Sequence, residues 1–400
     1  MQPFSVYLHI PFCIHRCSYC DFNTYSGFEY LIPDYTQALC LEIKFNAANF
    51  EQRVPVHTVF FGGGTPSILP IIELAKVIEA LYRNFEIING AEITLEANPE
   101  RVTSDYLKGL RSLGINRLSL GMQTAIPEEL RLLERQHDYD QMALTVGLAR
   151  KAGFDNVNLD LIFGLPHQTL ESWQESLKLG LNLNPDHFSL YALTVEEGTP
   201  IADWIYKGLL IEPDPDLAAD MYELASERLD KSGYKQYEIS NWAKFGESNG
   251  LLASQHNLQY WRNLPYLGLG AGAHGYAGGI RTANVLSPKR YIESFLSDNV
   301  KHSQYHLQFP STPATVDAHY VKQDQEIRET MMMGLRLTVE GVSGEAFRAR
   351  FGTSLREVYE TEIEELISEG LLEWEPVESD RLRLTPRGRL LGNQVFVRFI

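Results

Sequence analysis

Three of the chain's four cysteines fall within eight residues, Cys13-Ile-His-Arg-Cys17-Ser-Tyr-Cys20. Thiolates at these spacings do not converge from a rigid helix or strand, but from a loop they can gather round one soft metal centre. Three cysteines leave one corner of a cubane iron–sulfur cluster without a protein ligand, and an iron with an open site can bind a small molecule. A structural zinc site is a competing reading. It is closed and tetrahedral, so it needs a fourth ligand, which His9, His15 or Cys40 would supply. Free thiols are a third. Disulfides fit less well, because a thiol cluster near an N-terminus that carries no secretion signal reads as a metal site.

Other residues could act beside that loop. Gly62-Gly63-Gly64-Thr65 closes a strand pattern with no side chains, so backbone can approach a charged ligand there. Glu96, in Glu96-Ala-Asn-Pro99, ends another strand, and a carboxylate at a strand tip can accept from two ribose hydroxyls. Asp160 lies between Leu159 and Leu161, where a charge is costly unless it is paired or lines a cavity. Arg135 or a ligand group is its expected partner. Cys40 shares an apolar helix face with Leu39 and Ile43 and reads as a core residue.

These residues need a frame to hold them. Strand patterns run over Phe4–Ile10, His57–Phe61, Ala91–Glu96, Arg117–Met122, Val157–Phe163 and His187–Leu193. Helical periodicity fills the intervals, over 34–49, 71–85, 104–113, 127–133, 139–152 and 170–181. Alternation of this kind implies parallel strands joined by right-handed crossovers. Six units are too few for an eightfold barrel, so a partial (β/α)6 barrel is expected. The motifs then fall at the carboxyl ends of strands, where such sheets build their sites. Residues 194–215 read as a loop-rich connection, 241–290 as Gly-, Asn- and aromatic-rich with weak periodicity, and 297–322 as a surface linker. The last stretch, helices over 325–337, 344–351 and 354–369 followed by a hairpin at 371–374 and 381–384, has the order of a winged helix. The expected domains are 1–240, 241–322 and 323–400.

Composition narrows the function. The net charge is −17, which argues against a general nucleic-acid surface or anionic lipid. The C-terminal residues 341–400 hold eleven acidic residues against eight arginines and no lysine, so a docking or lid role suits the winged-helix-like domain better than DNA binding. No apolar run approaches a membrane span, and Met1-Gln-Pro-Phe-Ser lacks a basic start and apolar core for a signal peptide. A cytoplasmic location follows as the expectation.

Cys-x3-Cys-x-aromatic-Cys, with Tyr19 before Cys20, resembles the signature of the radical S-adenosylmethionine (SAM) superfamily. The run from Tyr7-Leu-His-Ile-Pro-Phe-Cys13 to Tyr19-Cys20-Asp21-Phe22 is similar to the oxygen-independent coproporphyrinogen III dehydrogenase branch, and within it most resembles heme chaperones of the HemW type. The resemblance implies one [4Fe–4S] cluster on Cys13, Cys17 and Cys20. It also implies SAM contacts from Tyr7, Tyr19, Gly63, Gly64, Thr65, Glu96, Gln123, Arg135 and Asp160. In that superfamily the cluster passes one electron to the sulfonium, leaving methionine and a deoxyadenosyl radical.

Three features separate chaperone from dehydrogenase. Phe22 stands where the dehydrogenases carry a fourth cysteine, and Cys13 leaves no room for their N-terminal extension. Gln255-His256-Asn257-Leu258-Gln259-Tyr260-Trp261 resembles the chaperones' HNxxYW motif, which makes His256 the candidate heme ligand and His274 the alternative. The implied partners are heme, an acceptor protein for it and a reductant for the cluster. A radical SAM dehydrogenase acting on coproporphyrinogen III is the alternative function.

Overall fold

The computed structural model describes residues 3–247, 250–297, 307–375 and 380–400. The chain forms two compact units. The first takes residues up to 225 together with 265–320, and the second takes 226–264 with 321–400.

The first unit is built on a mostly parallel sheet. Its strands are β1 (Phe4–Ile10), β2 (Pro55–Gly63), β3 (Glu86–Ala97), β4 (Arg117–Gln123), β5 (Asn156–Phe163), β6 (His187–Ala192), β7 (Tyr266–Leu269), β8 (His274–Ala277), β9 (Ile280–Asn284) and β10 (Thr315–Tyr320). Their order across the sheet is β10-β9-β8-β7-β1-β2-β3-β4-β5-β6. From β7 to β6 every neighbouring pair is parallel, whereas β8, β9 and β10 add antiparallel strands.

Strand β1 shows why this sheet forms. Val6, Leu8 and Ile10 are fully buried, on the face opposite Ser5, Tyr7 and His9. The second set continues across the sheet as a polar inner face. Ser5 and Thr58 hydroxyls meet at 2.5 Å, and the Asn158 amide donates to Ser119 at 2.7 Å. Helices α1 (Ile32–Ala47), α2 (Ile71–Asn84), α3 (Ser104–Ser112), α4 (Pro127–Leu132), α5 (Tyr139–Lys151) and α6 (Leu170–Asn182) alternate with the strands. Several start at side-chain caps. Thr103 accepts from the Tyr106 amide, Asp138 from Gln141, and Thr169 closes a capping box with Ser172.

A buried carboxylate ties α1 to the antiparallel end of this unit. Glu42 is fully buried and accepts from the Gly270 amide at 2.8 Å, Asn284 at 2.8 Å, Tyr291 at 2.6 Å and Thr312 at 3.0 Å. Four donors offset the desolvation that raises its pKa.

The second unit carries the strands Lys235–Glu238 and Asn241–Ala243, the helix Gln255–Trp261 and the C-terminal segment. Helices Gln323–Gly334, Gly344–Phe351 and Leu355–Ser368 pack with a three-stranded sheet of Val342–Ser343, Arg381–Leu384 and Leu372–Trp374. Met331, Phe347, Leu366, Leu382 and Phe399 lie in its core. This is the winged-helix-like order expected from the sequence.

The structure differs from the sequence reading in three places. Residues 200–206, expected as loop, form helix α7 (Pro200–Tyr206), with Thr199 as its cap. The stretch 265–290, with weak periodicity, supplies β7, β8 and β9, and Thr315–Tyr320, expected as linker, supplies β10. The compact units therefore do not follow the linear division at 240 and 322, because the chain returns to the edge of the first sheet after Leu264. Strands of four to six residues carry too little alternation to be read locally. Part of the expected linker, residues 298–306, lies outside the described residues. Among the described residues no helix is long and apolar enough to cross a membrane.

Candidate functional site

The cysteine loop leaves β1 and crosses the carboxyl ends of the parallel strands. Phe12–Cys13 pairs with Tyr25–Ser26, and the Cys20 amide donates to the Cys17 carbonyl at 3.2 Å, folding the three cysteines back on themselves. With the strand ends they enclose a cavity of about 540 Å³. Its wall includes Cys13, Cys17, Cys20, Tyr19, Gly63, Gly64, Thr65, Glu96, Gln123, Arg135 and Asp160. Residues expected from six separate stretches of sequence thus share one cavity. Two expected residues do not line it. Tyr7 turns its hydroxyl to His9 Nδ1 at 3.0 Å and stacks on Phe60, and His256 lies in the second unit.

Gly63 and Gly64 form the tight side of the loop. Gly63 holds φ +113°, and a Cβ there would lie 2.6 Å from the His9 ring. A Cβ on Gly64 would meet the Phe12 carbonyl oxygen at 2.7 Å and Cys13 Sγ at 3.0 Å. The Gly64 and Thr65 amides donate to Ile10 and Phe12, and Thr65 Oγ1 lies 3.5 Å from Cys13 Sγ. Burial pushes the Cys13 thiol up to about 11, the Thr65 contact opposes this, and the neighbouring Cys20 and Cys17 add to it. Metal coordination removes such a proton outright.

Opposite the loop, two carboxyl groups face inward. Glu96 Oε2 accepts from the Gly63 amide at 3.2 Å. Its pKa is pushed up to about 8, by burial first and then by the charge of Asp160. Asp160 accepts from Ser119 and Asn158, each at 2.8 Å, and burial raises its pKa as well. Arg135, one of the two partners expected for Asp160, is placed elsewhere. Arg135 donates to Asn98 Oδ1 at 2.9 Å and the Gly121 carbonyl at 3.1 Å, with Nη1 at 3.7 Å from Cys17 Sγ. Gln123 holds φ +63° just past an irregular register in β4, a strained conformation of the kind that gathers at functional sites. Ser119, Asn158 and Asn98 were not singled out by sequence, although Ser119 and Asn158 repeat at period two with Gly121 and Asp160 on the inner face.

The donor set suits a cubane cluster. Among the described residues no three His, Cys, Asp or Glu side chains converge on a single metal ion. In a cubane each thiolate holds a different iron, so the sulfurs need only border a shared space. Cys13, Cys17 and Cys20 do so, with the Arg135 cation beside them. Cys40 is partly buried on α1, does not line the cavity, and has its thiol pushed up to about 11 by burial.

In the second unit His256 follows the Ser254 cap of helix Gln255–Trp261 and is 1% exposed. Its Nε2 lies 2.8 Å from the Tyr260 hydroxyl. Trp261 packs beside Tyr237, Leu258 and Leu337, with Arg336 4.5 Å from its ring centroid.

Comparison with known proteins agrees with this geometry. Residues 7–180 match the radical SAM superfamily, and residues 321–391 match the HemN C-terminal domain. The chain is 38% identical to the heme chaperone HemW of Bacillus subtilis over 99% of both chains. It is 37% identical to the Mycobacterium tuberculosis heme chaperone HemW, covering 98% of this chain and 94% of that one. The structure of the radical SAM enzyme coproporphyrinogen III oxidase (HemN) from Escherichia coli superposes with a TM-score of 0.81 at 25% identity, over 99% of this chain and 90% of that one. The alternation of strands and helices, the cysteine loop at their carboxyl ends and near-complete alignment with these relatives place the chain in the HemW heme chaperone family of the radical SAM superfamily.

Proposed function

We propose that this chain binds heme and passes it to an acceptor protein, and that it carries a SAM-binding [4Fe–4S] cluster. Near-full-length similarity to proteins named heme chaperone HemW carries this reading. Cys13, Cys17 and Cys20 would hold the cluster. When bound, it supplies an open iron and one-electron reducing power. The Gly63–Gly64–Thr65 turn offers backbone to the methionyl end of SAM, and Glu96 offers its carboxylate to the ribose. Gln123, Asp160 and Tyr19 complete the wall, while Arg135, pinned by Asn98 and Gly121, sets a positive charge beside Cys17. Tyr7 acts at one remove, through His9 packed on Gly63. The proposed partners are heme, its acceptor and a reductant, with no nucleic acid.

The test is anaerobic reconstitution followed by heme titration, heme transfer to a heme-free acceptor, and coproporphyrinogen III turnover on the same sample. Heme binding and transfer without turnover is the expected result. Turnover without heme binding would establish the dehydrogenase instead.

A further inference from the structure

The antiparallel end of the first unit's sheet carries groups that the cavity does not use. Cross-strand register sets them in rows on one face. Tyr7 lies opposite Phe60 on one side and Gly268 on the other. Gly268 lies directly against His274, so closely that a Cβ on it would come within 1.8 Å of the His274 carbonyl oxygen. His274 is paired with Ala283, and Ala283 with Asp317. The next row of the same face holds Tyr266, Tyr276, Arg281 and His319.

His274 is exposed, whereas the rest of its strand is buried. Its neighbours across the sheet, Gly268 and Ala283, have no side chain beyond a methyl group. On the Gly268 side the space a side chain would take is filled by the His274 backbone, and on the other side Ala283 presents only a methyl group beside the imidazole. The His9 pKa is lowered, by burial first and in smaller part by the nearby His274. His9 is already engaged at both nitrogens, by the Tyr7 hydroxyl at 3.0 Å and the Asn23 carbonyl at 2.9 Å. The Tyr7 and Phe60 rings stack beyond Gly268 with centroids 6.2 Å apart. One row along, the Arg281 guanidinium lies 4.8 Å from the centroid of Tyr276. At the far edge His319 pairs with Asp317 at 3.1 Å.

A metalloporphyrin asks for three things from such a surface. Its iron needs an accessible imidazole, its flat macrocycle needs room and aromatic contact, and its propionates need a cation at the rim. This face presents an exposed imidazole at His274, aromatic rings at Tyr7, Phe60 and Tyr276, and a guanidinium at Arg281. The HNxxYW histidine supplies none of the access, since His256 is buried and its Nε2 is held by Tyr260.

We propose that His274 is the axial ligand of heme lying on this sheet face, over Ala283, with Arg281 at the propionate rim. The assignment rests on the heme-binding reading above and names its ligand. The test uses the full chain, reconstituted anaerobically and titrated with hemin, in four forms: wild type, His274→Ala, His256→Ala and Ala283→Leu. His274→Ala should lose the Soret band of imidazole-ligated heme and bind about tenfold more weakly or worse, and free imidazole should restore the band. Its iron and sulfide content should match wild type. Ala283→Leu should weaken heme binding while keeping the ligand's spectrum, and His256→Ala rescued by no imidazole but spectrally normal supports the same placement. A His274→Ala protein with wild-type spectrum and affinity overturns the ligand, as does a loss that imidazole restores only in His256→Ala. Undiminished affinity in Ala283→Leu removes this face as the site. A wild-type chain that binds no heme at all overturns the heme-binding reading itself, which the variants alone cannot do.

Discussion

Replacing Glu96 by glutamine should abolish a pH dependence that the wild-type pocket must show. Burial and the adjacent Asp160 push the Glu96 carboxyl up to about 8, against the Gly63 amide and the Arg117 charge, which lower it. Two ribose hydroxyls are better accepted by a carboxylate than by a carboxylic acid. At about pH 6, roughly two units below that pKa, SAM binding must expel a proton at a cost of about 2.7 kcal/mol. The Kd for SAM should therefore fall about tenfold per unit as pH rises from about 6 toward 8, then level off.

Folding responds in the opposite sense. The carboxyl keeps its proton up to about 8 when folded and loses it near 4.5 otherwise. The folded state binds more protons in that window, so the stability of the SAM-free protein falls as pH rises through it. In Glu96→Gln the slope of SAM affinity should vanish. Above pH ~8 the variant should bind about 1.5–3 kcal/mol more weakly, the scale of hydrogen bonds lost to a charged group, and toward pH ~6 the two proteins should converge. Asp160→Asn, which removes a raising influence on Glu96, should move the wild-type rise to lower pH. Equilibrium SAM binding across this range, on reconstituted protein, reads all three. A flat wild-type profile, or parallel slopes in wild type and Glu96→Gln, would refute a ribose-facing carboxylate.

The cluster assignment expects about four irons per chain after reconstitution, loss of the brown chromophore in Cys17→Ser, and its retention in Cys40→Ser; the reverse pattern would move the ligand set. Gly64→Ala should lower the iron content while leaving the far-ultraviolet circular dichroism unchanged, because its Cβ would press on the Phe12 carbonyl and Cys13 Sγ; full iron loading would show that the loop yields freely. Glu42→Ala strands four buried donors and should cost about 3–5 kcal/mol in urea unfolding, with Glu42→Gln less harmful; a loss under about 1 kcal/mol would mean that those donors find other partners.

Much of the site was legible because its residues sit where local patterns are strong. Strand β1 spans the residues that alternation marks, and the cysteine loop follows it directly. Glu96 and Gln123 fall at strand ends that hydrophobic runs already delimit. Partner choice was not legible. Of the two partners expected for Asp160, Arg135 or a ligand group, Arg135 turns instead to Asn98 and Gly121, and Ser119 and Asn158 hold the carboxylate. Which of two buried donors reaches a carboxylate depends on the stagger between strands, and here β4 slips in register after Gly121. The strands β7 to β10 were also missed. Their stability comes from pairing across long sequence separations and from Glu42 more than two hundred residues away, not from their own periodicity.

A parallel sheet with both faces covered tends to read as continuous apolar runs. The strands of this one do not. Ser5, Tyr7 and His9 alternate with Val6, Leu8 and Ile10; Ser119 and Gly121 alternate with Leu118 and Leu120; Asn158 and Asp160 alternate with Val157, Leu159 and Leu161. Polar residues at every second position would be costly against a packed helix layer, and they are tolerated because they face one another or a cavity. Asn158 shows the first outcome, bonded to Ser119, Asp160 and His187 in one buried network. Glu96 shows the second, at the cavity wall. The same face continues past β1 to Gly268 and His274, where an imidazole reaches solvent. One alternation thus runs from a sealed polar core, through a ligand cavity, to an exposed binding face. The depth at which each inner residue lies, and not its type, decides whether it fills structure or meets a ligand.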